Sequence, residues 1–180
     1  GSGTWTRKQR DEQWAVTPSC QHRHMAKIVY VDMDGVLVDF QSGLDKVGKK
    51  MRKKYKGRED EIPRVFSLME PMPGAVESFH AIQNSDKYDA YILSTASWHN
   101  STSWSDKLLW VQTHFGDGDK TAAYKRLILS HHKHLNSGAI LIDDRKKNGA
   151  DRFDGRLIRF GKKKYPDWKA VRKELGVALP

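Results

Sequence analysis

Short, unbroken apolar runs punctuate an otherwise polar chain. Ile28-Val29-Tyr30-Val31, Ala90-Tyr91-Ile92-Leu93 and Ala139-Ile140-Leu141-Ile142 lack the polar alternation of a half-exposed strand. They read as strands buried on both faces, the pattern of a parallel sheet covered by helices. Leu127-Ile128-Leu129 and Leu157-Ile158-Arg159-Phe160 give a short strand and a further one. Helical spacing fills the intervals. Pro73-Gly74 opens a helix carrying Val76, Phe79 and Ile82 inward, and Leu108, Val111 and Phe115 form the stripe of another. Trp168, Val171 and Leu175 give a closing helix with Asp167 near its N-terminus. Strands alternating with helices predict an α/β fold, a doubly wound parallel sheet with helices on both faces.

The three buried runs share one property: each ends in short polar groups. The first delivers Asp32-Met33-Asp34-Gly35, the second Ser94-Thr95, the third Asp143-Asp144-Arg145. An Asp-Gly pair alone is an ordinary turn. Open α/β sheets, however, bind ligands at the carboxyl ends of their strands, and three such tips side by side place four carboxylates around one crevice. That concentration of negative charge requires a cation, and hard oxygen donors suit Mg²⁺. Ser94, Thr95 and a lysine, Lys107 or Lys133, would face the acids and make a seat for a phosphate. The combination points to metal-assisted phosphoryl chemistry.

On these residues the chain is similar to the haloacid dehalogenase superfamily of phosphohydrolases. Asp32-Met33-Asp34-Gly35-Val36-Leu37-Val38-Asp39-Phe40 resembles its first motif, Ser94-Thr95 the second, a lysine the third and Asp143-Asp144 the fourth. Within the superfamily it resembles the 5′(3′)-deoxyribonucleotidases. The likeness is carried by Glu70-Pro71-Met72-Pro73-Gly74-Ala75, Lys107-Leu108-Leu109-Trp110-Val111, Phe115-Gly116, Leu141-Ile142-Asp143-Asp144-Arg145 and Asp167-Trp168-Lys169-Ala170, and covers most of residues 27–175.

The resemblance implies a Rossmann-like core with a helical cap insertion, and a Mg²⁺-dependent phosphomonoesterase acting on nucleoside monophosphates. Asp32 would attack phosphorus, forming an aspartyl-phosphate, and Asp34 would serve as acid and then base. Mg²⁺ would be held by Asp32, the backbone carbonyl of Asp34, and Asp144, with Asp143 behind them or as an alternate ligand. Ser94, Thr95 and Lys133 would hold the phosphoryl oxygens. Lys107 also matches a functional lysine of the family, and sequence does not rank the two lysines.

Departures from the family pattern are as informative. The insertion at 41–70 is short for a cap, dividing a core at 25–40 and 71–180, and leaves only Tyr55 and Phe66 for base stacking. His131-His132-Lys133 stands where the family tends to have Arg-Asp-Lys. Lys46, Lys49, Lys50, Arg52, Lys53, Lys54, Lys56 and Arg58 form a basic run unbroken by an acid. Leu44, Val47, Met51 and Tyr55 thread it at helical spacing, so it reads as an amphipathic helix with a basic outer face. Such a face is most often simply solvated; alternatively it attracts a polyanion, nucleic acid included.

Composition adds a formal net charge of +10, which favours anionic partners. A single cysteine, Cys20, excludes an internal disulfide and suits a reducing, cytoplasmic setting. No apolar stretch is long enough to span a membrane. Residues 1–24, beginning Gly1-Ser2-Gly3, read as a tail or tag, with Met25 as the expected native start. Asp117-Gly118-Asp119 reads as a turn, and His131, His132 and His134 as unconverged loop histidines. Three functions follow in order: a nucleotidase, a polynucleotide end phosphatase using the basic run, and a non-catalytic binding module on the same fold. Monomer and homodimer both remain open.

Overall fold

The computed structural model describes residues 26–179, so the expectation for the N-terminal tail lies outside the described residues. Among the described residues, seven strands and five α-helices follow one another. They are β1 (Lys27–Val31), β2 (Val38–Asp39), α1 (Phe40–Asp45), α2 (Lys49–Lys54), β3 (Glu70–Pro71) and α3 (Ala75–Gln83). After them come β4 (Tyr88–Ser94), α4 (Thr102–Phe115), β5 (Leu127–Leu129), β6 (Ile140–Asp143), β7 (Arg156–Arg159) and α5 (Trp168–Leu175). The main sheet runs β5-β4-β1-β6-β7 with every pairing parallel, the Rossmann-like arrangement expected. The strand pattern is explained by burial: Val29 and Val31 are fully buried, as are Ile92, Leu93, Leu141 and Ile142.

Register decides where the chemistry goes. β1 is central, with Val31 opposite Ile92 of β4 and Ile142 of β6. Because all three strands point the same way, Asp32, Ser94 and Asp143 arrive together at one sheet edge. β1 lies between strands that come much later in the chain, so this is also where ligands settle in open α/β sheets.

The insertion leaves the core at β2 and returns at β3, which pair antiparallel with Val38 opposite Pro71. It is tied down along its length. The Trp110 indole donates to the Met69 carbonyl at 3.0 Å, and Asn100 donates to the carbonyls of Asp60 and Ile62, both at 3.0 Å. Arg64 pairs with the buried Asp106 of α4 at 2.5 Å. On the core side the Trp168 indole donates to the Val36 carbonyl at 2.9 Å, fixing α5 to the loop after β1.

Two expectations change. The basic stretch is not one amphipathic helix: α1 and α2 are separate, because Gly48 sits at the N-cap of α2 with an extended backbone, ψ 146°. Val47 is buried at the break, whereas Met51 is exposed and α2 buries no side chain. In α4, Leu108 faces solvent, 47% exposed. The buried stripe is instead Ser103, Asp106, Lys107, Trp110, Val111 and Phe115, since the helix turns a lysine inward to meet the site. The predicted capping by Asp167 is present: its carboxylate accepts from the Ala170 amide at 2.8 Å.

Candidate active site

The turn after β1 is built around Gly35. Its φ of +76° is open to glycine, and a Cβ there would stand 2.6 Å from Asp144 Oδ2. The turn therefore brings the β1 loop against the β6 loop without a side chain between them. Asp32 Oδ1 accepts from the Met33 amide at 2.8 Å, orienting the carboxylate at the strand tip.

Two buried lysines divide the acids between them. Lys133, reaching in from the turn after β5, lies 3.0 Å from Asp32 Oδ1 and 2.5 Å from Asp143 Oδ2. Lys107, 1% exposed, donates to both oxygens of Asp34 at 2.9 and 2.8 Å and to Ser94 Oγ at 3.0 Å. Sequence left these lysines as competitors; the structure brings both into the site, each with its own acid. Ser94 is wholly buried beneath the crevice, while Thr95 lines it and donates its hydroxyl proton to the Ser130 carbonyl at 2.8 Å.

Asp32, Asp143 and Asp144 offer oxygens that lie within 4.8 Å of one another. Asp143 is already engaged: Oδ2 meets Lys133 and Oδ1 accepts from the Arg145 amide at 2.8 Å. Asp144 differs. Its Oδ1 is buried without a hydrogen bond, the nearest cation being Arg145 Nε at 3.5 Å. A buried, unpartnered carboxylate oxygen beside two other acids fits a hard divalent cation such as Mg²⁺. A recess of about 10 Å³ lined by Asp32, Asp34, Thr95, Lys133 and Asp143 lies at the same floor.

The electrostatics agree with an unbalanced acid cluster. Burial and the charge of Asp32 push the Asp143 carboxyl up to about 6, against the pull of Lys133. Burial raises Asp144 as well. Burial opposes the charge of Lys133, but Asp32 and Asp143 more than offset it and raise its pKa.

Above the floor opens a crevice of about 510 Å³. Phe40 and Phe66 form one wall, with ring centroids 5.9 Å apart and edge-on; Glu59, Asp60, Arg145 and Lys147 complete the rim. Sequence reasoning missed Phe40, Glu59, Asp60 and Arg145 as site residues. Phe40 and Arg145 could have been found from their positions at the end of the first motif and directly after the fourth; Glu59 and Asp60 carried no such signal. A wider depression of about 850 Å³ near Tyr91, Lys120 and Arg126 contains none of the clustered acids, so the candidate site is the smaller crevice.

A parallel sheet with paired acids, a hydroxyl and two buried lysines at its carboxyl edge defines a phosphohydrolase core of the haloacid dehalogenase type. The family pattern of "5′ nucleotidase, deoxy (Pyrimidine), cytosolic type C protein" matches residues 60–172, more than half of the chain. A provisionally named 5′(3′)-deoxyribonucleotidase of Vibrio phage KVP40 is 54% identical over 144 residues, covering 80% of this chain and 81% of that one. One from Bordetella bronchiseptica, also provisionally named, is 32% identical over 66% of this chain and 74% of that protein. The cytosolic-type 5′(3′)-deoxyribonucleotidase of Homo sapiens is 27% identical over 79% of this chain and 77% of its own. The chain belongs to this deoxyribonucleotidase family and is a phosphoric monoester hydrolase. Among the described residues, no helix is long and apolar enough to cross a membrane.

Proposed function

We propose that the enzyme hydrolyses deoxynucleoside monophosphates through a phosphorylated Asp32, with Mg²⁺ held by Asp32, Asp144 and the Asp34 backbone carbonyl. The observation that carries this reading is the division of labour between the lysines: Lys133 beside Asp32 and Lys107 beside Asp34. Two acids only two residues apart are thereby given different partners, which suits different roles.

Asp32 is oriented by the Met33 amide and flanked by an ammonium, as a nucleophile that must approach an anionic phosphate requires. Its attack breaks the bond from phosphorus to the leaving oxygen, and the nucleoside departs with a proton from Asp34. Asp34 then takes a proton from the water that cleaves the acyl-phosphate. In the free enzyme both Asp34 oxygens accept from Lys107, so Asp34 must exchange part of that contact when it takes up the proton it donates. Thr95 and Lys133 face the phosphoryl oxygens, and buried Ser94 positions Lys107 from below. Asp143 acts by holding Lys133. Bound Mg²⁺ would neutralise phosphate charge next to Asp144.

Half-buried Phe40, packed edge-on against buried Phe66, offers the crevice an apolar surface for a nucleobase. The test is phosphate release from deoxynucleoside monophosphates with and without Mg²⁺, using Asp32→Asn as the blank. Release that needs both Mg²⁺ and Asp32 supports the reading; release by Asp32→Asn at the wild-type rate refutes it.

A further inference from the structure

Ion pairing explains only part of the basic run. Lys46, Arg52 and Arg58 are matched by Glu70, Asp45 and Glu61. Lys49, Lys50, Lys53, Lys54 and Lys56 are all exposed, and none has an acidic partner among the described residues. Lys49 with Lys53 and Lys50 with Lys54 fall at the i, i+4 spacing where like charges repel. A helix that buries no side chain and concentrates repelling charge is stabilised by an external polyanion.

A second observation specifies the polyanion. Trp98, 76% exposed, follows the crevice-lining Ser97 and is braced edge-on by His131, whose ring also contacts Trp104. Asn100, two residues on, is bonded to the carbonyls of Asp60 and Ile62, just beyond the basic run. The basic run leads in the chain to Glu59 and Asp60, which line the crevice, and the exposed Trp98 indole directly follows crevice-lining Ser97. Together they suit a single-stranded nucleic acid, in which phosphates alternate with faces that stack.

We propose that single-stranded nucleic acid binds across the mouth of the crevice, its phosphates along Lys49, Lys50, Lys53, Lys54 and Lys56 and a base against Trp98. Glu59 and Asp60, which line the crevice beyond the run, repel phosphate and accept from base amino groups. The inference goes beyond mononucleotide hydrolysis and does not depend on it.

The experiment measures anisotropy of a labelled oligodeoxycytidylate of about 12 nucleotides without a terminal phosphate, so that the catalytic site is not the reporter. Affinity is expected to fall with salt with a log–log slope near −3.5 for five contacts, about −0.7 for each. Lys53→Glu with Lys54→Glu should weaken binding at least about tenfold and flatten the slope by about 1.4. Trp98→Ala should weaken it about fivefold or more with the slope unchanged. Melting temperatures of the variants check folding. Absence of binding at about 50 mM salt, or wild-type affinity in the lysine variant, overturns the proposal. Heparin binding equally well, with no effect of Trp98→Ala, also overturns it and assigns the patch to polyanions in general.

Discussion

Lys107 donates to both carboxylate oxygens of Asp34, at 2.9 and 2.8 Å, from a position with 1% exposure in the middle of α4. A buried ammonium is costly unless paired, so the two residues are energetically one unit. The pairing also spans the molecule, linking the β1 loop to a helix that begins beyond β4.

The first prediction concerns that coupling. Lys107→Met preserves bulk but leaves Asp34 without its cation. It is expected to lower kcat about 10²- to 10³-fold, as does loss of a positioned charge at other sites. Asp34→Asn should lower kcat at least as much, and the double variant should be little worse than the poorer single one. Strictly additive losses in a double-mutant cycle would show that the residues act independently.

The second concerns the acids of the fourth motif. If Asp144 is the ligand, Mg²⁺ should raise the melting temperature of the wild-type protein, equivalent to about 2.7 kcal/mol at a hundredfold excess over Kd. Asp144→Asn should abolish most of that rise. Asp143→Asn should keep more of it while destabilising the metal-free protein, because it leaves buried Lys133 with Asp32 as its one acidic partner. Thermal melts with and without Mg²⁺ distinguish the two without an activity assay.

A third follows from the close approach at Gly35. Gly35→Ala must accommodate a Cβ 2.6 Å from Asp144 Oδ2 at a φ of +76°. The backbone strain alone should cost on the order of 1 kcal/mol. Displacement of Asp144 should add a measurable loss of Mg²⁺ affinity, read by calorimetry. An alanine variant with wild-type affinity would show that Asp144 does not hold the metal.

The fourth is a pH effect away from the site. His114, its ring centroid 4.4 Å from that of Trp110 and tilted against it, has its pKa lowered by burial, partly offset by Glu70. The folded state therefore takes up its proton less readily than the unfolded chain. Stability from this group is full above about pH 6.5 and is lost as pH falls from there through the folded pKa. Asp143, raised to about 6, acts with the opposite sign, its contribution fading as pH rises through that value. Comparing wild type with His114→Gln across this range cancels Asp143 and isolates the histidine. The glutamine variant should lose less stability on acidification; parallel curves would contradict the assignment.

Much of this architecture is legible in the sequence because burial on both faces leaves a plain mark. Val29, Ile92 and Leu141 lie in uninterrupted apolar runs, and the polar residues that follow them must then sit at one sheet edge. Lys107 shows the limit of that reasoning. Helical spacing favours Leu108 as the inward residue, but the requirement to partner Asp34 and Ser94 turns a lysine inward and leaves the leucine in solvent. The break at Gly48 was missed for a related reason: the apolar spacing of Leu44, Val47, Met51 and Tyr55 bridges it, while the glycine marks the end of one helix and the start of the next. Glu59 and Asp60 reach the crevice through a contact with Asn100, 40 residues away from Asp60 in the chain, and local pattern carries no trace of it.

The central claim is that Asp32 carries the phosphoryl group. The most direct test is an acid quench during turnover of a deoxynucleoside monophosphate with Mg²⁺, followed by borohydride, which converts a phosphorylated aspartate to homoserine. Mass spectrometry should find homoserine at position 32 in the wild type and none in Asp32→Asn. Phosphate release with Asp32 never converted under conditions that trap a known acyl-phosphate, or conversion at another acid, would contradict the account.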